Sequence, residues 1–265
     1  MISSALRALA EDPELYVEPP DGSERIVDDR YGVIIGPQRR WAGVCRLRLP
    51  AARAASAQAM DEIHQLVAGI DPVLWNVGSS ATPDDLPDRL RQRGLRDPDP
   101  PMDPVCAGMV LADEPQEVPG VEVRRIETLE EHRAGLEIML TAATWTESAA
   151  AHERARAQET FERRTRRGGF QWLAWLAGRP VAYGLADRTP AGLYLSGGST
   201  LPEGRGHGCY RALVRARWDE AVRLGVPGLA VQAQYGSSAP ILRRVGFTEV
   251  TSIHTLQSDG ARSPA

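Results

Sequence analysis

The chain has 265 residues, a formal net charge of −4, 42% hydrophobic and 25% charged residues, an ordinary globular composition sized for one or two domains. A pI near 5.8 argues against nucleic acid as the main partner, and no apolar run reaches the roughly 18 residues of a membrane span. All 31 basic residues are arginine, so without a lysine the chain is not a P-loop NTPase, a pyridoxal phosphate enzyme, a Schiff-base aldolase or a kinase of the usual kind. The first residues turn acidic by Glu11-Asp12 without a long apolar stretch, so no signal peptide is expected. Cys45, Cys106 and Cys209 are odd in number and widely spaced. They suggest a reducing cytoplasm, no disulfide framework and no metal site.

In chain order, an internal repeat comes first. Tyr31-Gly32 matches Tyr183-Gly184, Leu49-Pro50 matches Leu201-Pro202, Arg53 matches Arg205 and Gly94-Leu95 matches Gly246-Phe247, each at a spacing of 152 residues. Four anchors in one order indicate a duplication. Residues 1–112 read as the first copy, 113–120 as a Pro- and Gly-bearing linker and 121–265 as the second copy. The second copy opens with a short strand, Val121 to Ile126. Helices follow over Glu130 to Trp145 and Ser148 to Arg167, the latter strongly basic. Phe170 to Leu176 and Pro180 to Ala186 read as a hairpin, and Gly192 to Thr200 as a third strand. Gly208 to Leu224 is an amphipathic helix with Tyr210, Leu213, Val214, Trp218 and Ala221 on one face. Leu229 to Ala233 is a buried strand, Ser238 to Val245 a short helix and Phe247 to Leu256 the last strand.

The chemistry is expected where the third strand becomes a helix, at Thr200 to Tyr210. Glycines there let backbone N–H groups converge on an anion, and the helix dipole favours negative charge. Taken alone, the loop fits a flexible turn as well. The wider order is strand, Pro-x-x-Arg-Gly-x-Gly, helix with Leu213-Val214, buried strand, and a short helix ending at Gly246-Phe247. This order resembles the GNAT superfamily of acyl-CoA-dependent N-acyltransferases, over roughly Val121 to Leu256. The resemblance implies an α/β (α+β) fold of two tandem GNAT-like domains, each a mixed, mainly antiparallel sheet flanked by helices.

It also implies acetyl-CoA as co-substrate. The diphosphate would rest on Arg205, Gly206, His207, Gly208, Cys209 and Tyr210, and the pantetheine arm on the backbone of Ser199, Thr200 and Leu201. Ser237 and Ser238 are further candidate contacts, with helix capping as their bland alternative. An N–H near Thr200 would polarise the thioester carbonyl. Glu147 and Asp187 are candidate bases acting through water, and Tyr235 is a candidate acid.

The sequence departs from the family pattern at three places. Tyr210 stands where glycine or alanine is usual, Tyr235 where asparagine is usual and Leu242 where tyrosine is usual. The other reading of His207 is a solvated loop residue, and that of Cys209 a packed small one. The arginines from Arg154 to Arg167 read as a solvated helix face. Trp145, Trp172 and Trp175 are expected in the core, with Trp145 and Glu147 as weaker acceptor-pocket candidates. His132 and His152 are expected on helix surfaces. The first copy reads as decayed: Ser56 stands at the place of Gly208 and Ala54 at that of Gly206, so β-carbons obstruct a diphosphate.

The favoured reading is a cytoplasmic small-molecule N-acetyltransferase acting on a primary amine by direct attack in a ternary complex. It is expected as a monomer or homodimer, with no nucleic acid or membrane partner. The alternatives are a protein or peptide N-acetyltransferase and a non-catalytic acyl-CoA-binding module.

Overall fold

The computed structural model describes residues 2–100, 102–143 and 145–258. In chain order come α1 (Ser4–Glu11), β1 (Glu24–Val27), β2 (Gly32–Ile35), β3 (Ala42–Cys45), α2 (Arg53–Leu66), β4 (Val73–Gly78), α3 (Leu86–Gln92) and β5 (Val105–Leu111). Then follow β6 (Glu122–Arg125), α4 (Leu129–Ala142), α5 (Glu147–Ala155), α6 (Ala157–Arg166), β7 (Gly169–Leu176), β8 (Arg179–Thr189) and β9 (Gly192–Thr200). The chain ends with α7 (Cys209–Arg223), β10 (Leu229–Gln234), α8 (Ser238–Val245) and β11 (Thr248–Ser258). Two compact units interleave in sequence. The first gathers Arg7–Met109, Gln232–Ile241 and residues 249–258; the second gathers residues 2–6, Val110–Val231 and Leu242–Thr248.

In the first unit the strand order is β1-β2-β3-β4-β11-β5. β1, β2 and β3 are antiparallel, and β3 runs parallel to β4. The last strand of the chain, β11, pairs antiparallel with β4 from Ile253↔Gly78 to Ser258↔Val73. Its alternation of buried and half-buried residues foretells a strand, but not the distant partner that strand finds. The core joins Val33, Ile35, Val44 and Trp75 of the sheet to Ala59, Met60 and Ile63 of α2 and Leu86 and Leu90 of α3. The apolar positions of α2 and α3 recur three or four residues apart, the spacing that keeps one helix face on a sheet.

In the second unit the order is β10-β9-β8-β7-β6, with β6 to β9 antiparallel and β10 parallel to β9. Ala177 and Gly178 turn the β7–β8 hairpin with φ of 49° and 78°, the pair of left-handed residues a tight two-residue hairpin requires. Adjacent β8 residues face opposite layers. A β-carbon at Gly184 would meet Arg217 of α7, whereas Tyr183 lies against Gly135 of α4. Helices therefore cover both faces of this sheet, as expected for a mixed sheet flanked by helices.

Several local expectations change. The continuous helix expected over 148–167 is two helices, broken at Arg156. His132 is not on a surface: it is 3% exposed, against Gln171 of β7. Trp145 is not core, being 39% exposed. α4 starts at a Thr128–Glu131 capping box, and its buried face runs through His132, Gly135, Leu136, Ile138 and Leu140.

Candidate functional site

The second unit builds the loop from its strand outward. β8 and β9 pair in one register from Ala182↔Thr200 to Leu185↔Gly197 and in a shifted one from Asp187↔Tyr194 onward. The shift leaves one extra residue on β9, a β-bulge at Leu195–Ser196. Past the bulge, the Leu201 N–H donates to Val181 O at 2.9 Å. In an antiparallel ladder, alternate residues point their N–H and C=O to opposite sides. Ser199 and Leu201 therefore face β8, whereas Gly198 and Thr200 face away from it. On that far side β10 pairs with β9 at Leu229↔Leu193 and Ala230↔Tyr194. Gly198 and Thr200 lie four or more residues beyond, where the two strands no longer share a register.

The chain then turns through Pro202–Gly204 into the α7 N-terminus. Gly204 packs tightly, since a β-carbon there would sit 2.9 Å from Val181 Cγ2. Arg205 Nε donates to Thr200 O at 3.3 Å and closes the loop onto the strand. Gly206 and Gly208 have φ of 79° and 82°, a conformation costly for any residue with a β-carbon. Gly208 is the N-cap of α7, and no side chain caps that helix end. The first turn therefore presents N–H donors with no intrahelical acceptor, together with the positive end of the helix dipole. His207 lies exposed, with Nδ1 3.0 Å from Arg205 O. Cys209 is buried and burial raises its thiol pKa, so it packs rather than reacts. These features fit a diphosphate: the helix start offers uncapped N–H donors, and two glycines supply the left-handed turn that leads into it.

Tyr210 does not crowd this site. Its ring lies over Gly198, where a β-carbon would come within 2.9 Å of Cε2. Two turns further along α7, Arg217 is 0% exposed. Its Nε donates to Leu213 O at 2.9 Å and its Nη1 to Leu185 O at 3.4 Å and Gly197 O at 3.3 Å, while Nη2 is buried without an acceptor. Sequence reading missed this residue. The available signal was the pair Gly184 and Gly198, which leaves room for Arg217 and the Tyr210 ring beneath the sheet.

The candidate acids lie on the α4–α6 side. Asp187 Oδ1 pairs with Arg164 Nη2 at 3.0 Å, and the same nitrogen is 3.5 Å from Ser196 Oγ in the bulge. Arg164 is thus a half-buried partner of the bulge rather than part of a solvated face. Glu147, with a side chain 90% exposed, starts α5 and lies 3.5 Å from Arg154. Behind them, Gln171 Oε1 accepts from Tyr183 OH and from His132 Nδ1, both at 2.7 Å. An oxygen that only accepts requires Nδ1 to carry the proton, and burial lowers the His132 pKa. Tyr235, Ser237 and Ser238 belong to the other compact unit. There Tyr235 OH donates to Glu249 Oε1 at 2.6 Å, Ser238 Oγ accepts from the Gln234 N–H at 3.0 Å and Ser237 Oγ donates to Gln234 Oε1 at 3.1 Å. Among the described residues no cluster of metal-ligating side chains occurs, and no helix is long and apolar enough to cross a membrane.

The corresponding place in the first unit is filled by its own chain. Past Val44↔Trp75, where β3 and β4 part, the Arg46 N–H donates to Asp12 Oδ1 at 2.8 Å and the Leu49 N–H to Thr82 O at 2.9 Å. Glu11 Oε1 accepts from the Ser80 N–H at 2.9 Å. At the repeat spacing the start of α7 matches Ala57, yet α2 starts already at Arg53. Ser56 is consequently inside the helix and buried. The glycine loop has no counterpart because the helix has absorbed it.

No family model matches the sequence, and no curated protein matches it either. Solved structures do match. A GCN5-related N-acetyltransferase from Kribbella flavida superposes with a TM-score of 0.64 at 16% identity over 98% of both chains. A tandem GNAT protein from the clavulanic acid biosynthesis pathway, solved without AcCoA, gives 0.64 at 16% identity over 97% of this chain and 88% of that one. A functionally unknown conserved protein from Staphylococcus epidermidis also gives 0.64, at 11% identity over 93% and 96%. The chain has the tandem GNAT fold.

Proposed function

We propose that the chain is an acyl-CoA-dependent N-acyltransferase, with its machinery in the copy that begins at Val121, moving an acetyl group from acetyl-CoA to a primary amine of a small molecule. One observation carries this reading: the uncapped N-terminus of α7 behind Gly206 and Gly208 sits at the end of a strand whose Gly198 and Thr200 backbones face out of the β8 ladder. Acetyl-CoA, as co-substrate, supplies the activated acyl group. The N–H groups of Cys209 and Tyr210 would hold the diphosphate, with Arg205, Gly206 and His207 shaping the loop. The backbone of Ser199, Thr200 and Leu201 would align the pantetheine arm, and the Thr200 N–H would stabilise negative charge growing on the thioester oxygen. A neutral amine attacks the carbonyl carbon, the C–S bond breaks, the thiolate leaves, and the amine's surplus proton passes to water. Positioning of the two substrates supplies most of the acceleration. The reading places the protein in the cytoplasm as a monomer or homodimer, without nucleic acid or membrane as partner.

The test is calorimetry with acetyl-CoA, followed by free-thiol release across a panel of small amines and basic peptides. Micromolar binding and amine-dependent thiol release support the reading. Release with peptides alone moves the acceptor class to protein N-termini or side chains. Binding without release with any amine supports a non-catalytic acyl-CoA module. The ion pairs that engage both Asp187 and Glu147 favour that second reading. No binding at all refutes both.

A further inference from the structure

Arg217 has no role in the reading above, and its cost is large. A guanidinium taken fully out of water loses its solvation, and that loss is offset only by close partners. Among the described residues no carboxylate pairs with it. Its partners are three carbonyl oxygens and the Tyr210 ring, whose centroid lies 5.7 Å from Cζ, and burial lowers its pKa. Methionine would fill comparable volume without the charge, and such replacements of buried ions are often neutral or stabilising. Stability alone gives no reason for a cation here.

Its placement suggests another reason. Leu185 and Gly197 are the last pair before the register of β8 and β9 breaks, and Nη1 bonds both of their carbonyls. Gly198 comes next, and a β-carbon there would lie 3.9 Å from Nη1. Glycine at 184 and 198 is what admits the guanidinium and the Tyr210 ring: added β-carbons would stand 3.3 Å from Arg217 Cζ and 2.9 Å from Tyr210 Cε2. Arg164 reaches the opposite side of the same bulge, with Nη2 3.5 Å from Ala186 O. The bulge decides which N–H groups of β9 face out of the sheet, and an added donor shared by the two carbonyls that flank it resists a slip of register.

We infer that Arg217 is a positioning residue for acyl transfer: by bridging Leu185 O and Gly197 O it locks the β9 bulge, aims the Thr200 N–H at the thioester oxygen and sets a positive charge beneath that strand. The inference rests on the acyl-CoA reading of the loop. Its readout is separate from turnover. The probe is acetyl-CoA carrying ¹³C at the thioester carbonyl, whose infrared band moves to lower frequency when a donor polarises it. Affinity is measured in parallel by calorimetry.

In the native protein the band of bound acetyl-CoA should shift down from its free position. In Arg217→Met the shift should fall by about half or more while affinity stays within about threefold, because the diphosphate is held by α7 backbone donors that do not depend on Arg217. Arg217→Lys, with one charged donor, should restore part of the shift. If Arg217→Met fails to fold, Gly184→Ala decides: its β-carbon presses on Cζ and should reduce the shift in the same direction. A full shift in a folded Arg217→Met, or in Gly184→Ala where the methionine variant is unfolded, overturns the inference and leaves the acyl-CoA reading intact. Binding to the native protein without any shift overturns the Thr200 assignment and Arg217's role with it. No binding to the native protein overturns the acyl-CoA reading itself.

Discussion

The two copies treat the same structural opportunity in opposite ways. In each, a parallel strand pair parts after a few residues and exposes backbone N–H groups. In the first copy the chain answers them itself: Asp12 accepts from Arg46, Thr82 from Leu49 and Glu11 from Ser80. In the second, Gly198 and Thr200 face outward beside an uncapped helix end. Whether such an opening stays free therefore depends on more than glycines in the loop. Unsatisfied backbone donors are expensive when buried, so donors that no ligand meets require internal acceptors. The N-terminal acids of the first unit are such acceptors.

The largest effect is expected from breaking the loop of the second copy. Gly208→Glu forces a β-carbon into φ of 82°, drives it to 2.7 Å from Val118 Cγ1, and adds charge where the diphosphate would lie. Acetyl-CoA affinity should fall by about 100-fold or more, from roughly 3 kcal/mol of lost binding. Gly206→Ala sharpens the point. Its β-carbon meets nothing within 4 Å, so only the backbone preference, about 1–2 kcal/mol, resists it. Its affinity loss should be about tenfold. In the first copy, Ser56→Gly should create no second site, because Ser56 lies inside α2 and the Asp12 contact is untouched. Calorimetry should still give one acetyl-CoA per chain, and two would break the comparison.

Next comes the filled opening. A β-carbon at Gly78 would stand 2.1 Å from Glu11 Oε1. Gly78→Ala must push the acid off Ser80, and should destabilise the protein by about 2–3 kcal/mol in urea titration. An unchanged midpoint would mean that Glu11 is not needed to close the first copy.

Glu14 gives a subtler effect. Its Oε1 accepts from Asn76 Nδ2 at 2.8 Å, and Oε2 is buried without a donor. Burial pushes its pKa up from 4.5 to about 7, and that of Asp12 up from 3.8 to about 6. A carboxyl raised in the folded state holds its proton more tightly there than in the unfolded chain. The stability it contributes is full below about pH 4 and is lost as pH rises through 6 to 7. Glu14→Gln removes the Glu14 share of that loss and should raise stability by about 2 kcal/mol at pH 8 while changing little at pH 4. Equal effects at both pH values would show that Glu14 is not buried as a proton-binding group.

Much of this was legible in the sequence, for physical reasons. Period and turn chemistry mark β7, β8, β9 and α7 because local pattern dictates them, and Gly206-His207-Gly208 marks a loop because only glycine accepts its φ values at low cost. The repeat spacing points to a tandem fold, and Ser56, which lies inside α2, marks a loop unlike that of the second copy. What stayed hidden depends on distant partners. No local signal tells that Asp12 accepts from Arg46 or that β11 pairs with β4. The expected exposure of His132 failed for the same reason, since Gln171, its partner, comes from a strand 39 residues on.

The smallest effect concerns how the thiolate would leave. Leu242, where the resemblance expects a tyrosine, is fully buried and has no proton to give. Tyr235 is the remaining candidate acid, and its hydroxyl donates to Glu249 at 2.6 Å. A proton shared with a carboxylate is stabilised where it is, so transferring it to sulfur would also break a charge-assisted bond. General acid help is typically worth about 10²–10⁴-fold, and a thiolate leaves readily without it. Tyr235→Phe removes the hydroxyl and little else. Turnover at saturating acetyl-CoA, with any amine that supports it, should fall by less than about tenfold, or about 1.4 kcal/mol of barrier. The lost bond to Glu249 should cost about 1 kcal/mol of stability. A several-hundredfold drop with unchanged acetyl-CoA affinity would make Tyr235 the acid after all. Glu249→Gln then separates the two roles: if Tyr235 donates, releasing its hydroxyl from the carboxylate should raise turnover, and if it only packs, turnover should stay where it was.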